Sequence, residues 1–151
     1  MDAPNFTLDQ NFFDLLTGSY ARFVGTRLIA EEGRGPPWLY NDAPFVVLAH
    51  DTAADPHFVY ANRAAQACFG YSWDEFITLP SRLSAEAPDR AERQKLLDQV
   101  TRDGFISDYR GVRISKSGRR FWIEQATVWQ LIGTDGILRG QAASFAIWKD
   151  I

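Results

Sequence analysis

The side chains best suited to chemistry are few and scattered. The 151 residues include two histidines, His50 and His57, and a single cysteine, Cys68. A haem iron asks for an axial His, Cys or Met, and a structural zinc ion for about four converging N and S donors. His50 and His57 stand at the ends of two short apolar runs, positions from which side chains ordinarily face solvent or cap a turn, so neither is read as a metal ligand. Cys68 lies in an apolar stretch and reads as a small buried hydrophobe. Asp51, Asp55 and His57 are close in sequence, yet no Ser or Cys in a nucleophile motif accompanies them, and no glycine-rich phosphate loop occurs. The chain is therefore not expected to be an enzyme, and its cofactor, if it has one, is left unknown.

Binding chemistry has a better candidate. The stretch Gly111 to Leu131, GVRISKSGRRFWIEQATVWQL, carries the longest strand signal and the densest aromatic content, with Ser117-Gly118 as a hairpin turn. Its second arm alternates Phe121, Ile123, Gln125, Thr127, Trp129 and Leu131 with Trp122, Glu124, Ala126, Val128 and Gln130. Both sets contain large apolar residues, so both faces are expected to be covered. The first set is assigned to the inner face. Its Gln125 and Thr127 then need partners: backbone or buried water on one reading, a ligand on the other. On the second reading Gln125, Ser144, Thr127 and Tyr109 orient a small molecule among Leu96, Phe105, Ile123 and Trp129. Trp122, on the opposite face, is expected to pack against the N-terminal helix or a partner subunit. Arg110, Arg113, Lys116, Arg119 and Arg120 gather around the hairpin tip. A basic hairpin can bind phosphate backbones, but no aromatic interleaves for base stacking, and a solvated turn balanced by nearby acids is the favoured reading.

These residues must be positioned by a globular framework. Apolar residues at 46% and aromatics at 14% exclude wholesale disorder, and a net charge of −3 does not suit a protein whose overall field recruits nucleic acid. No stretch approaches the roughly 20 apolar residues of a membrane span, the N-terminus lacks a signal-peptide layout, and one cysteine permits no internal disulfide. A cytoplasmic location without membrane association is expected.

Thr7 to Gln10 has the form of a capping box, followed by Leu8, Phe12, Leu15, Leu16, Tyr20, Phe23, Val24 and Leu28 at helical spacing. This predicts an amphipathic helix of roughly five to six turns ending near Gly33, with Gly33 to Pro37 as a linker. Phe45 to His50 and His57 to Tyr60 read as paired strands. Asn62 caps a helix from Arg63 to Phe69 that Gly70 closes, and Ser72 to Glu75 is a second capping box. Asp89 to Arg102 predicts a helix burying Leu96, Leu97 and Val100 and capped by Gly104. Phe105 to Ile114 forms the first arm of the long hairpin, Asp135-Gly136 a turn, and Leu138 to Trp148 the last strand. Two strands, three helices and three strands make an α+β arrangement on an antiparallel sheet.

Particular residues narrow this further. Tyr60-Ala61-Asn62-Arg63-Ala64-Ala65 with Phe69-Gly70-Tyr71-Ser72-Trp73-Asp74-Glu75-Phe76 resembles the "YxN…GYSxEE" passage of PAS domains. RISKSGRRFWIEQATVWQL together with GQAASF at Gly140 to Phe145 resembles the PAS-related MEKHLA domain, and the resemblance covers roughly Trp38 to Trp148. It implies a PAS-like five-stranded antiparallel sheet with short helices on one face, preceded by an N-terminal amphipathic helix. The division expected is 1–37 for helix and linker and 38–151 for the PAS-like domain.

The resemblance implies a sensory or interaction module and no catalytic residue. Phe121-Trp122 matches the "FWN" strand motif of the flavin-binding, light-sensing branch, but Ile123 replaces the Asn of that motif. The other polar flavin contacts of that branch fall at Arg113 and near Ala146, and the segment Ser81 to Glu86 that should hold its reactive cysteine has none. Flavin photochemistry of that type is not expected. The function expected is a stand-alone sensory module that binds a small molecule in its inner pocket and relays its state through the sheet and N-terminal helix. A homodimer and a separate signalling partner protein are the expected partners. The alternative is a ligand-free protein-protein interaction module that dimerises through the sheet and first helix.

Overall fold

A computed structural model of the chain describes residues 5–151, with Ala87 and Pro88 described in backbone only. Helix α1 spans Gln10–Val24 and α2 Pro36–Asn41; strands β1 (Val46–His50) and β2 (Phe58–Ala61) follow. Helices α3 (Arg63–Phe69) and α4 (Trp73–Phe76), a 3₁₀ turn (Ser81–Ser84) and α5 (Ala87–Asp103) lead to β3 (Phe105–Ile114), β4 (Arg120–Ile132), β5 (Leu138–Phe145) and β6 (Ile147–Asp150). The strands form one antiparallel sheet in the order β2-β1-β5-β4-β3, and β6 continues β5 along the first half of β4.

Local chemistry explains most of these boundaries. Asn62 caps α3 by accepting from the Ala65 N–H, and Gly70 ends it in the left-handed region at φ 77°. Ser72 and Glu75 form a reciprocal capping box on α4. At α1 the outcome differs from expectation. Asp9, not Thr7, is the cap, accepting from Phe12 N at 2.7 Å, while Thr7 bonds to Asn5. The helix stops at Gly25, which adopts φ 86°, rather than near Gly33. Leu28 and Ile29 prolong the apolar spacing but pack as a loop against the same cluster. The last two residues of the expected linker, Pro36 and Pro37, are helical as well, because a proline at the first position of α2 lacks only an N–H that would have no partner there.

One polar side chain ties these pieces together. Asn62 is fully buried and makes four hydrogen bonds. Its Oδ1 accepts from Val47 N and Ala65 N at 3.1 Å, and its Nδ2 donates to Leu39 O at 3.1 Å and Phe45 O at 2.9 Å. Helix α2, the start of β1 and the start of α3 are thereby fixed to one amide.

The sheet separates two apolar layers. On the inner face α3, α4 and α5 cover Val46, Leu48, Phe121, Ile123, Val128 and Phe145. On the outer face α1 and α2 cover Val47, Ala49, Tyr60, Trp129, Leu131 and Ala142. Strand β4 contributes to both layers by a device that even alternation hides. Gln125 is a β-bulge residue at φ 51°, exposed, opposite the break between β5 and β6 at Ala146. Before it Phe121 and Ile123 face inward; after it the inward residues are Ala126 and Val128. One extra residue moves every later side chain to the other face. Thr127 and Ser144 therefore pair on the outer side, and Trp129 and Phe105 pack in the outer layer, contrary to the inward placement expected of all four. Gln125 itself faces solvent.

Trp129, not Trp122, is the indole that meets α1. Its Nε1 donates to Leu16 O at 3.2 Å, and Tyr20 meets it edge-on with centroids 4.9 Å apart. Ser19 Oγ donates to Ile132 O at 3.0 Å and accepts from Ile132 N at 3.1 Å, so α1 is bonded to the sheet as well as packed on it. Trp122 lies under the Arg110 guanidinium, 3.7 Å from the ring centre.

The bulge makes a stability prediction. A left-handed conformation disfavours side chains by roughly 1–2 kcal/mol, so Gln125→Gly should leave the protein as stable or raise its stability by about 1 kcal/mol. Gln125→Val, β-branched, should lower it by at least that amount. Urea unfolding midpoints decide it: a glycine variant destabilised as much as the valine variant would contradict the bulge.

Candidate functional site

Between the inner face of the sheet and helices α3 and α5 lies a cavity of about 50 Å3. Leu48, Phe58, Phe69, Leu96, Val128 and Phe145 supply apolar wall, and Leu97, Ile123 and Ala143 complete it. Its polar groups are His50, Ser84, Arg93, Arg113 and Gln141. At roughly 10–15 Å3 for each water-sized probe, this space admits a few waters or a small molecule, and a flavin or haem would require the helices to move apart.

Of the residues expected at a binding site, Leu96 and Ile123 line this cavity. Tyr109 packs in the same inner layer and holds one of the wall's arginines: Arg113 Nη2 donates to its hydroxyl at 3.3 Å, and that hydroxyl donates to Glu92 Oε2 at 2.7 Å. Gln125, Thr127, Trp129 and the paired Ser144 are not brought to the cavity, because the bulge turns that half of β4 outward. Phe105 is not either, because Asp108, left-handed at φ 56°, stands between it and inward Tyr109.

The polar wall was hidden in the sequence by two habits of reading. His50 ends β1 and was expected to face solvent; it is 8% exposed and points inward, continuing the alternation of Val46 and Leu48. Its Nε2 lies 3.3 Å from Gln141 Oε1, an acceptor, so Nε2 carries the proton. Burial, and then the charge of Arg93, push the His50 pKa down to about 4. A tight backbone contact sets this corner, since a Cβ at Gly140 would lie 2.0 Å from the His50 carbonyl oxygen. Arg93 precedes Leu96, Leu97 and Val100 at helical spacing and so sits on the buried stripe of α5, 8% exposed. Spacing could have found both.

The basic hairpin divides in two. Arg113 turns inside and is 6% exposed. The others pair with acids on the surface: Arg110 with Glu124 at 3.2 Å, Arg120 with Glu86 at 3.5 Å, Lys116 with Glu75 and Arg119 with Asp150. Arg119 also donates to the Cys68 carbonyl at 2.6 Å and Lys116 N to Phe69 O at 2.8 Å, so the hairpin tip caps the C-terminus of α3 with positive charge. His57 caps its turn, Nδ1 donating to Asp55 O at 2.9 Å. Burial pushes the Cys68 thiol up to about 12, which leaves it protonated and unreactive at neutral pH.

A surface cleft of about 360 Å3 shares His50, Arg93, Leu97 and Gln141 with the cavity. Those four side chains are the partition between the cavity and the cleft. Gln141 braces it, accepting from His50 and donating to Thr101 Oγ1 at 3.1 Å. Among the described residues no group of His, Cys, Asp and Glu converges as a metal site, and no helix is long and apolar enough to cross a membrane.

The sequence profile of the MEKHLA domain matches residues 10–150, taking in α1 as well as the whole sheet. The chain belongs to the MEKHLA family. Its architecture is that of PAS domains. The PAS domain of a protein from Colwellia psychrerythraea superposes with a TM-score of 0.63 at 17% identity, over 74% of this chain and 90% of that one. A light-oxygen-voltage domain studied with a flavin analogue gives 0.56 at 16% identity, over 70% and 76%. A blue-light activated histidine kinase from Erythrobacter litoralis gives 0.59 at 18% identity, over 75% of this MEKHLA domain but 35% of the kinase. At these identities the likeness is one of fold. No curated protein matches the chain in sequence.

Buried His50 makes the domain acid-sensitive in a defined window. Its folded pKa lies near 4, below the unfolded 6.5, so the unfolded chain binds the extra proton. The penalty is absent above pH 6.5, grows as pH falls toward 4 and levels off at about 3 kcal/mol. Unfolding free energies measured from pH 7 to 4 should fall more steeply for the natural protein than for His50→Gln by about that amount; parallel curves would place His50 in water.

Proposed function

We propose that this MEKHLA domain is a non-catalytic sensory module that binds a small molecule in the inner cavity and relays occupancy through the sheet to α1. The observation that carries the reading is the mixed wall: a mainly apolar cavity behind a four-residue partition, with a handful of polar groups converging on it, is the usual composition of a ligand site. The relay has a physical path. Val128 faces the cavity and its neighbour Trp129 is bonded to α1, so a shift of β4 on one face must be felt on the other. Homodimerisation and transmission to a separate protein belong to the same proposal.

A second reading has its own support. The outer face on the β6 side of the bulge carries half-buried Trp122 and exposed Ile147, which a second copy of the chain could cover in a ligand-free interaction module.

Native mass spectrometry of the full chain, purified without added cofactor, separates the two. Retained mass in the natural protein that disappears in Ala143→Phe, whose ring would fill the cavity, supports the sensor. A dimer without retained mass, dissociated by Trp122→Asp, supports the interaction module instead. Ligand-dependent protection of α1 amides in hydrogen exchange tests the relay; unchanged α1 exchange with the cavity filled would remove it from the proposal.

A further inference from the structure

The buried charges narrow the ligand class, an inference that rests on the cavity reading above. Arg93 reaches the cavity from α5 and Arg113 from β3. Buried arginine is ordinarily found with a carboxylate partner. Here neither guanidinium pairs with one among the described residues. Arg93 Nη2 donates to Ser81 Oγ at 3.0 Å, while Arg113 donates to Val112 O at 2.8 Å and to Tyr109 Oη at 3.3 Å. Each guanidinium has about five N–H donors to place, so most have no protein partner, and the nitrogens without one reach solvent rather than being sealed in. Glu92 is one hydrogen bond further out, on the far side of the Tyr109 hydroxyl. Several surface arginines behave differently: Arg82, Arg110 and Arg120 have carboxylate partners, while Arg22 and Arg63 lie over aromatic rings.

The two buried cations also oppose one another. Burial, and after it the charge of Arg113, hold the Arg93 pKa down at about 10. His50, neutral and bonded to Gln141, offers no compensation. A fold that keeps two like charges on the wall of one cavity carries a cost that an anion between them would remove.

We infer that Arg93 and Arg113 form an anion site, and that its ligand is a small organic carboxylate. A planar guanidinium matches a carboxylate's two oxygens. Most of the rest of the wall, Leu48, Phe58, Leu96 and Val128 among it, is apolar and suits a short hydrocarbon portion, which inorganic oxyanions lack. The volume of about 50 Å3 limits that portion to a few carbons. Arg93 also belongs to the partition, so the anion's charge would be met at the point where it leaves the surface cleft.

The test is thermal unfolding of the full chain with propionate and succinate, against propionamide and succinamide, and against phosphate and sulfate, at fixed ionic strength. A carboxylate should raise the Tm by several degrees with saturation, and its matching amide should not. Arg93→Met and, independently, Arg113→Gln should each weaken that binding at least tenfold. Without ligand, Arg93→Met should melt at or above the natural protein, because it removes one of two opposed charges; this separates lost binding from lost folding. An Arg93→Met protein that melts well below the natural one makes Arg93 structural and overturns the inference. A response to phosphate or sulfate alone overturns the carboxylate assignment, and equal responses to acid and amide overturn the anion site. A neutral mass retained in native spectra, with no anion response, would sink this inference and leave the cavity reading standing. Neither a retained mass nor any response would sink both.

Discussion

The side-chain amide of Asn62 is the constraint on which the architecture depends. It supplies partners to backbone groups of helix α2, the start of β1 and the start of α3 that these segments do not find in one another. A buried amide with two acceptor bonds and two donor bonds is fully satisfied. Were it shortened or made apolar, two backbone N–H groups and two carbonyls would be left without partners inside the protein, each at a cost of about 1–3 kcal/mol. The position of β1, and so of His50 at its far end, follows from this junction. The inner cavity is downstream of it.

What the sequence revealed follows from how local the determining interactions are. Helix α3 and the capping box of α4 were legible to the residue, since Asn62, Gly70, Ser72 and Glu75 act on backbone groups within four positions. The antiparallel sheet was legible from the long hairpin and its turns. The end of α1 was not, because Leu28 and Ile29 keep the helical spacing after Gly25 has broken the helix. Hydrophobic spacing records what is buried, and a loop folded against the same layer leaves the same trace.

The candidate site was legible in part. Leu96 and Ile123 reach the cavity because they lie on regular segments before any irregularity. The inward placement of Phe105 failed at Asp108, left-handed at φ 56° between it and inward Tyr109, and that of Thr127, Trp129 and the paired Ser144 failed at Gln125, whose type gives no warning of a left-handed backbone. Glycine or asparagine would have raised the suspicion. Arg93 and Arg113 were overlooked for a different reason: arginine on a helix or a hairpin is ordinarily surface, and only the helical spacing of Arg93 with Leu96 and Val100 argued otherwise.

The bulge on β4 and the break between β5 and β6 face each other on neighbouring strands, and their match governs the register of this part of the sheet. Residues 127–131 align with β5 and residues 121–124 with β6 in one common register, because Gln125 on one side is matched by Ala146 on the other. Both strands therefore change face at the same level and keep their pairing. The far half is anchored by Trp129 and Ser19 against α1, the near one by the turn that docks on α3. An insertion or deletion in either strand alone would break that match and shift one half of the pairing against the other.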